Sequence, residues 1–436
     1  MKILFVYPKF KKYLETNPKI LEAINFPLYA GFKTTPSLGI PILAALTPDE
    51  HEIHFADGNL EEIPYDTHFD LVCINCFTPQ ARAAYEVGDK FKERGVLTVM
   101  GGIHPTNMPE DAKMHCDAVA IGDGETIWTQ ILEDAKLGKL KPFYKAEVPF
   151  NMENYVLPRR DLYKNKNGYD WKPLLIQCIR GCDYRCAYCA IPSAHGGCFR
   201  FRPIKNVMNE IEQNLDLEGL FIAEDQFLIP EERIEKYAFE FFNALKSLGY
   251  KKKIFLNCST LLNPNPKLLN LVREAGVESV YLVMGFDPIS VNAVSFNKPQ
   301  TAERNIKMLR DAGIDIFASV GVGLDVDNAD IFKRHIDFLE RNNIKHVEFW
   351  ILTPFPGSPT WNDFKKKGRI LTENFDFYNG AHTVFKPKKM SVEQLDEGFL
   401  YLWKEFFTRN PLKPEDAAKY YNMTDEYLMA HGLKKV

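Results

Sequence analysis

The 436-residue sequence has no apolar run of the roughly 18 residues that a membrane-spanning helix needs. Its formal net charge is only -4, from 54 Lys and Arg against 58 Asp and Glu, which gives no reason to expect nucleic acid as a partner. It also contains no internal repeat and no low-complexity tract. With 45% hydrophobic residues, the composition favours an ordinary globular protein of two or three domains.

The start of the chain gives no sign of secretion. The apolar run 3–7 is too short for a signal peptide and is typical of a first β-strand. Nine cysteines without a secretion signal indicate a reducing cytoplasm rather than a disulfide framework. We therefore expect a cytoplasmic protein without a transmembrane segment.

Strand-like and helix-like segments alternate over residues 1–140, as in a parallel α/β sheet of the flavodoxin-like, Rossmann type. In such sheets ligands bind at the carboxyl ends of the strands. The candidate strands are 3–7, 52–56, 71–75, 97–100 and 118–121, and the candidate helices are 39–46, 81–94 and 124–137.

The rest of the chain predicts a linker, a second α/β domain and a cap. Residues 141–171 carry Lys, Pro and Asn and are interpreted as a domain linker. Residues 172–371 contain six βα units, fewer than the eight of a closed barrel, and predict a partial (β/α)6 TIM barrel. Residues 372–436 predict a C-terminal helical region, with helices near 392–408 and 414–430. The candidate barrel strands are 174–178, 220–223, 254–258, 279–284, 316–320 and 346–352.

Three cysteines carry the strongest chemical signal. Cys182, Cys186 and Cys189 have the spacing C-x3-C-x2-C, and Tyr188 directly precedes the last one. Thiolates so close in sequence suit an iron–sulfur cluster better than disulfide bonds. Three ligands leave one iron of a four-iron cluster open. The alternative is three unrelated buried cysteines.

The motif C-x3-C-x-aromatic-C resembles the signature of radical S-adenosylmethionine (radical SAM) enzymes. The resemblance implies that the open iron of a [4Fe-4S] cluster binds the amino and carboxylate groups of SAM. An electron from the cluster then cleaves SAM to a 5′-deoxyadenosyl radical. The resemblance also implies a reductant such as ferredoxin or flavodoxin and an anaerobic or microaerobic host.

The resemblance continues at the ends of the barrel strands. Glu224 and Asp225 follow the second strand, where the family holds the SAM ammonium group, and a carboxylate pairs well with such a cation. A helix N-cap is the alternative interpretation. The other barrel candidates for cofactor binding lie beside the cluster motif or at the ends of the fourth, fifth and sixth strands: Tyr188, Asp287, Gly321, Gly323 and Leu352.

Two C-terminal stretches, 352–359 and 378–390, resemble a subgroup of cobalamin-binding radical SAM proteins that includes hopanoid and bacteriochlorophyll methylases. Tyr378 and His382 are the candidate catalytic residues there. The alternative is a packed junction without a chemical role. Arg200 and Arg202 are expected to be solvated or to meet an anionic group of the substrate.

The N-terminal domain resembles cobalamin domains of the methionine synthase type, in which the histidine of D-x-H-x-x-G binds cobalt. The matching stretch begins at Asp57 and has Asn59 in place of that histidine. An amide is a poor cobalt ligand, so we expect cobalt without a histidine below it. A scaffold domain without cofactor is the alternative. Further candidates for contact with cobalamin lie at the ends of the later strands: Asn75, Thr78, Gly101, Gly102, His104, Gly122, Gly124 and Glu125.

These resemblances imply a cobalamin-dependent radical SAM methyltransferase that acts on an unactivated carbon. One SAM methylates reduced cobalt to give methylcobalamin, and a second SAM yields the 5′-deoxyadenosyl radical that abstracts hydrogen from the acceptor. Three alternatives stay open: a cobalamin-bearing cyclase, a dehydratase or isomerase with an empty N-terminal domain, and a non-catalytic iron–sulfur scaffold or electron carrier. The acceptor is left open between a lipid, a tetrapyrrole, a secondary metabolite and a peptide.

Overall fold

The protein is described by a computed structural model that places residues 1–11, 13–24, 37–164, 173–224, 227–259, 262, 265–284, 299–411, 413 and 429. Two parallel sheets of six strands each organise these residues. The mixed α/β fold predicted from the sequence, with a Rossmann-type domain followed by a partial barrel, is confirmed.

The N-terminal sheet consists of β1 Lys2–Tyr7, β2 Glu52–Asp57, β3 Leu71–Asn75, β4 Leu97–Gly101, β5 Ala118–Ile121 and β6 Phe143–Lys145. All six are parallel in the order β2-β1-β3-β4-β5-β6, a flavodoxin-like order extended by one strand. Five of the six residues of β1 are buried, because helices cover both faces of the sheet.

The predicted start of the linker at residue 141 is wrong. Strand β6 pairs in parallel with β5 and so belongs to the sheet. Its three residues, Phe-Tyr-Lys, are too few for a period-two pattern to be recognised, since a strand signal needs at least four alternating positions.

The helices of the N-terminal part are α1 Tyr13–Thr16, α2 Lys19–Ile24, α3 Gly39–Leu46, α4 Ala81–Glu93, α5 Ile103–Asn107, α6 Pro109–Met114, α7 Trp128–Lys136 and α8 Asp161–Lys164. Helix α3 has the predicted bounds. Helix α4 buries one stripe of small and apolar side chains against the sheet, as an amphipathic surface helix does.

The middle of the chain contains β7 Leu174–Ile176, β8 Ile179–Arg180, β9 Arg200–Phe201, β10 Gly219–Ile222, β11 Lys253–Ser259, β12 Ser279–Met284, β13 Asp315–Val322 and β14 His346–Ile351. Six of these strands form a parallel sheet in the order β14-β13-β12-β11-β10-β7. Strands β8 and β9 form a separate antiparallel hairpin around the cysteine motif. Within the described residues, β7 and β14 are the two edges of the sheet, so the barrel is open as predicted.

The helices of this part and of the C-terminal region are α9 Ile191–His195, α10 Ile204–Glu212, α11 Glu232–Ser247, α12 Pro266–Glu274, α13 Pro299–Asp311, α14 Ile331–Arg341, α15 Pro359–Lys366 and α16 Val392–Arg409. Helix α16 begins with a capping box between Ser391 and Gln394, which satisfies N–H groups at its first turn.

The barrel interior is closed at its lower end by aromatic rings. Along β12, and from Val347 onward in β14, every second residue is fully buried against the helices, and the alternate residues are half-buried and face inward. Inward rings near the amino ends of four neighbouring strands pack with centroid separations of 5.0 to 6.1 Å. They belong to Phe221, Phe255, Tyr281 and Phe317.

The C-terminal region covers the edge strand β14. Helix α16 packs on β14, on α14 and on α2 from the far end of the chain. Tyr13 lies edge-on to Phe399 and beside Trp403, and the Asn17 side chain donates to the carbonyl of Ala381 at 2.9 Å. The helical structure within residues 372–391 is limited to a short 3-10 turn, so among the described elements of this region the predicted helical character is confirmed for α16 at 392–409. The predicted helix at 414–430 lies outside the described residues, apart from position 429.

No helix among the described residues combines the length and the apolar character needed to cross a bilayer.

Candidate functional site

A cavity of about 490 Å³ opens at the carboxyl ends of β3, β4 and β5. Its walls are largely apolar and come from the sheet, from α3 and from Trp128 on α7. Three side chains from the barrel domain border it on the opposite side: Gln177, Arg180 and His195. The cavity therefore lies between the two domains, at the edge where parallel sheets bind ligands.

Six residues predicted from the sequence to contact a cofactor line this cavity. They are Asn75, Gly101, Gly102, Gly122, Gly124 and Glu125. Gly102 has a φ of 109°, and a Cβ there would lie 2.5 Å from the carbonyl oxygen of Cys76. Only glycine permits this turn, which brings bare backbone to the cavity wall.

Asn59 does not line the cavity. Its side-chain oxygen accepts a hydrogen bond from the backbone N–H of Phe10 at 3.2 Å. Its amide nitrogen donates to Asp57 Oδ1 at 2.8 Å. The side chain thus ties the loop after β2 to the loop after β1, and the expectation that it contacts a cofactor directly is not what the structure shows.

His104 and Thr78 also lie away from the cavity wall, contrary to their expected role in cofactor contact. His104 is fully buried, with one ring nitrogen 2.9 Å from the Tyr85 hydroxyl and the other 3.3 Å from Thr78 Oγ1. Its ring meets Phe375 edge-on at 4.7 Å. Burial lowers the pKa of His104 to about 4, so the ring is neutral and serves as an internal support between the N-terminal domain and the C-terminal region.

The cysteine motif occupies the connection between β8 and α9. Cys182 is buried, and Cys186 and Cys189 are half-buried. Burial raises the pKa of the Cys182 thiol to about 12, and the nearby thiols of Cys189 and Cys186 act in the same direction. Among the described residues no three His, Cys, Asp or Glu side chains converge on a single metal ion. None of the three cysteines forms a disulfide, and thiols so close in sequence suit a multi-iron cluster, in which each binds a different iron.

Contacts from outside the motif hold its backbone. The carbonyl of Ala187 accepts hydrogen bonds from the backbone N–H and the hydroxyl of Thr360, both at 2.8 Å. Asp183 accepts from the N–H of Phe199 and from Arg233, both at 2.7 Å. The motif is therefore fixed to the start of α15, after the last barrel strand. Tyr188 is half-buried in this segment, and its hydroxyl interacts with the Cys186 thiol.

Glu224 follows β10 and is buried beneath the start of the cysteine segment. Its Oε1 atom accepts hydrogen bonds from the backbone N–H groups of Cys178 and Ile179, the latter at 2.9 Å. The carboxylate therefore supports the backbone that leads to the cluster motif. Asp225 and Asp287, the other acids predicted to bind SAM, lie outside the described residues.

The glycines after the fifth barrel strand differ in their surroundings. Gly321 lies in β13, in register with Trp350. A Cβ on Gly323, which has a φ of 97°, would lie 3.2 to 3.3 Å from Leu395 and Phe385. Gly323 is thus required by packing against the C-terminal region, and the expectation of a nucleoside contact there is not supported. Leu352 is buried and its N–H donates to the carbonyl of Val322 at 2.8 Å.

The two residues expected to be catalytic have different positions. Tyr378 is fully buried, its hydroxyl donates to the carbonyl of Thr372 at 2.7 Å, and its ring packs on Phe375. The structure thus places Tyr378 in a packed junction, where neither its ring nor its hydroxyl reaches an open space. His382 is half-buried after the end of β14, and its Nε2 atom has no hydrogen-bond partner among the residues that the structure describes.

Sequence reasoning missed a cluster of charged side chains beside the cavity. Asp123 accepts a hydrogen bond from Arg200 at 2.7 Å, and Arg180 lies within 2.8 Å of Glu125. Arg202 is fully buried and paired with Glu210. Neither Arg200 nor Arg202 is solvated, so the first of the two roles expected from the sequence is wrong, and both pair with acids of the chain itself. The sequence did contain a signal for this cluster. Arg180 and Arg200 lie on either side of the cysteine motif, and Asp123 and Glu125 lie in the Gly-rich segment that follows β5.

Another missed feature is a carboxyl group inside the barrel. Glu348 on β14 accepts hydrogen bonds from Tyr281 on β12 and, at 3.4 Å, from Ser319 on β13. Burial raises its pKa. The alternation of polar and apolar residues over 346–349 could have indicated that Glu348 faces away from the apolar side of β14.

Models of two protein families match the chain. The B12 binding domain matches residues 32–132, and the Radical SAM superfamily matches residues 176–339. These spans contain the cavity-lining glycines and the cysteine motif respectively.

Curated relatives and solved structures agree with these matches. The chain is 28% identical over 410 residues to bacteriochlorophyllide d C-12(1)-methyltransferase of Chlorobaculum tepidum, covering 91% of this chain and 87% of the relative. It is 26% identical to bacteriochlorophyllide d C-8(2)-methyltransferase of the same organism, covering 86% of this chain and 88% of the relative. The structure of TsrM from Kitasatospora setae, a radical SAM methyltransferase with cobalamin and a [4Fe-4S] cluster bound, has a TM-score of 0.62 at 16% identity, covering 84% of this chain and 78% of that one.

Proposed function

We propose that this chain, which belongs to the cobalamin-binding radical SAM enzymes and methylates carbon, acts on a cyclic tetrapyrrole. The observation that carries the proposal is the extent of the similarity to two bacteriochlorophyllide methyltransferases. It runs through both cofactor domains and into the C-terminal region, rather than stopping at the cofactor motifs.

The shape of the barrel supports an acceptor that stays mostly outside it. Aromatic rings fill the lower interior, including those of Phe255, Tyr281 and Phe317. A large flat macrocycle cannot pass this floor. It would lie between the domains and present one edge or side chain to the barrel mouth.

The enzyme uses a [4Fe-4S] cluster, SAM and cobalamin. When bound, the cobalamin carries the methyl group, and the cluster with SAM supplies the radical that opens the acceptor C–H bond. In this proposal Cys182, Cys186 and Cys189 bind the cluster, because the three thiols lie close together in one segment of the barrel domain and none of them is in a disulfide. The apolar cavity at Gly101 and Gly102 would shield part of a bound cobalamin from water.

The proposed reaction also needs a suitable redox environment and an electron donor. Nine cysteines without a disulfide and an oxygen-sensitive cluster suit an anaerobic cytoplasm. The electron for SAM cleavage would come from a low-potential protein such as ferredoxin or flavodoxin.

The proposal is tested with anaerobically purified, cluster-reconstituted protein loaded with cobalamin. It is incubated with a strong reductant, SAM carrying a deuterated methyl group, and separately a chlorin-type tetrapyrrole, a hopanoid lipid and a peptide. We expect only the tetrapyrrole to gain one labelled methyl group by mass spectrometry. 5′-Deoxyadenosine and S-adenosylhomocysteine should form in equal amounts, because each turnover consumes two SAM molecules.

A variant with Cys186→Ala serves as the matched control and should form neither product. Labelling of the lipid or the peptide alone would contradict the tetrapyrrole acceptor. 5′-Deoxyadenosine without S-adenosylhomocysteine, together with an unlabelled rearranged product, would indicate a cyclase instead of a methyltransferase.

A further inference from the structure

The loop after β5 carries two acids that reach across to the barrel domain. Asp123 accepts hydrogen bonds from Arg200 at 2.7 Å, from Arg180 at 3.3 Å and from the ring of His195 at 3.4 Å. It also accepts from the backbone N–H of Phe150 at 2.9 Å. The Asp123 side chain is 3% exposed, so these contacts are made away from water.

Glu125 adds a second bridge from the same loop. Its Oε1 atom lies 2.8 Å from Arg180, and both side chains are 7% exposed. Arg180 in turn donates from Nε to the side chain of Gln177 at 2.9 Å. One guanidinium therefore binds both acids of the N-terminal loop and an amide of its own domain.

The basic partners belong to the frame of the cysteine motif. Arg180 precedes Cys182 by two residues, and it pairs with Arg200 across the β8–β9 hairpin. His195 ends helix α9, which follows the motif. The acids of the N-terminal loop thus hold both flanks of the segment that carries the cluster ligands. We call Asp123, Glu125, Arg180, His195 and Arg200 the interdomain charge cluster.

Four members of the interdomain charge cluster also line the cavity: Asp123, Glu125, Arg180 and His195. A ligand in the cavity would therefore pack against the same side chains that position the cysteine segment. Breaking a buried ion pair is strongly unfavourable, since the remaining charge loses its partner. Movement of the loop and movement of the cysteine segment are consequently linked.

We propose that the interdomain charge cluster couples the two cofactor sites, so that a bound iron–sulfur cluster tightens cobalamin binding and bound cobalamin retains the iron–sulfur cluster. Each cofactor fixes one side of the charge cluster and lowers the ordering cost that the other must meet. Thermodynamic linkage makes the two effects equal in size. The proposal rests on the proposed function, because it requires cobalamin in the cavity. Glu125 and Arg180 are positioning residues in this scheme.

The coupling is measured by titrating hydroxocobalamin into the full-length protein with a reconstituted cluster and into the same protein after anaerobic iron chelation. We expect the dissociation constant to be about fivefold or more lower with the cluster present. In Glu125→Gln, which keeps the size of the side chain, the ratio of the dissociation constants without and with the cluster should fall towards one, whatever the change in cobalamin affinity itself. A purely structural role would lower folding stability without changing the ratio.

Glu50→Gln is the matched control, because Glu50 forms an exposed ion pair with Lys136 in the same domain. Its ratio should equal that of the wild type. Circular dichroism checks folding, and Asp123→Asn supplies a second variant if Glu125→Gln misfolds. A wild-type ratio of one, or an unchanged ratio in both folded variants, overturns the inference alone. A protein that binds no hydroxocobalamin in either state overturns the proposed function as well.

Discussion

The carboxylate of Glu224 accepts a hydrogen bond from the backbone N–H of Ile179 at 2.9 Å, and the same oxygen also accepts from Cys178. We expect Glu224→Ala to lower both thermal stability and iron content, because two buried amides lose their acceptor at a cost of about 1–3 kcal/mol each. Glu224→Gln keeps an acceptor oxygen and should retain iron.

SAM binding to Glu224→Gln then separates the two roles of this side chain. Weaker SAM binding at normal iron content would show that the carboxylate also pairs with the SAM ammonium group, as the sequence predicts. Unchanged stability and iron content in Glu224→Ala would contradict the supporting role. Isothermal titration with SAM and iron analysis make both measurements.

We expect Ala at Cys182, Cys186 or Cys189 to abolish the visible absorbance of the cluster and the formation of 5′-deoxyadenosine. Each thiol is needed because the motif supplies only three ligands to the cluster, and no other cysteine of the motif can replace a lost one. Cys198→Ala is the control, since this cysteine is exposed and lies outside the motif. A triple Ala variant that still cleaved SAM would refute the cluster assignment.

We expect the cobalt of the bound cobalamin to have no histidine ligand below it. Asn59 stands at the usual histidine position and is already bonded to Phe10 and Asp57. Both ring nitrogens of His104 are also occupied. Electron paramagnetic resonance of the Co(II) form should show no nitrogen splitting. A triplet splitting that disappears in His195→Gln would identify His195, which borders the cavity, as a ligand and contradict the prediction.

We expect the protein to lose stability on acidification partly through His104. Burial holds its pKa at about 4, below the ordinary value of 6.5, so the native state favours the neutral ring. This contribution is complete above pH 6.5 and is lost as the pH falls towards 4, because the unfolded chain binds the proton first. Between pH 7 and pH 4.5 the loss amounts to about 2–3 kcal/mol.

Denaturant unfolding at the two pH values measures this loss. His104→Gln should show a pH dependence smaller by that amount. His68→Gln is the control, because the His68 side chain is 83% exposed. An equal pH dependence in His104→Gln and the wild type would mean that the buried ring does not titrate in this range.

The sequence predicted those parts of the site that depend on local patterns. The strand ends at Asn75 and Gly101 followed from apolar runs and glycine signals, and the cysteine motif followed from its spacing. These features are set by residues close together in the chain.

Contacts between distant parts of the chain could not be predicted in this way. Tyr378 was expected to be catalytic, but its position is decided by packing against Phe375 and Trp361. His104 and Gly323 were expected to contact cofactors, yet each packs against side chains of the C-terminal region. Local sequence does not reveal which distant aliphatic or aromatic side chain fills the adjoining space.

Because α2 packs on α16, the N-terminal segment cannot reach its final packing until α16 has been synthesised. The segment after the first strand leaves the N-terminal sheet and rests on a helix made more than three hundred residues later. On the ribosome, the edge strand β14 and the apolar faces of Tyr13 and Ile20 remain uncovered until residues 392–409 have emerged. The nascent chain must therefore keep these surfaces from aggregating until residues 392–409 can fold onto them.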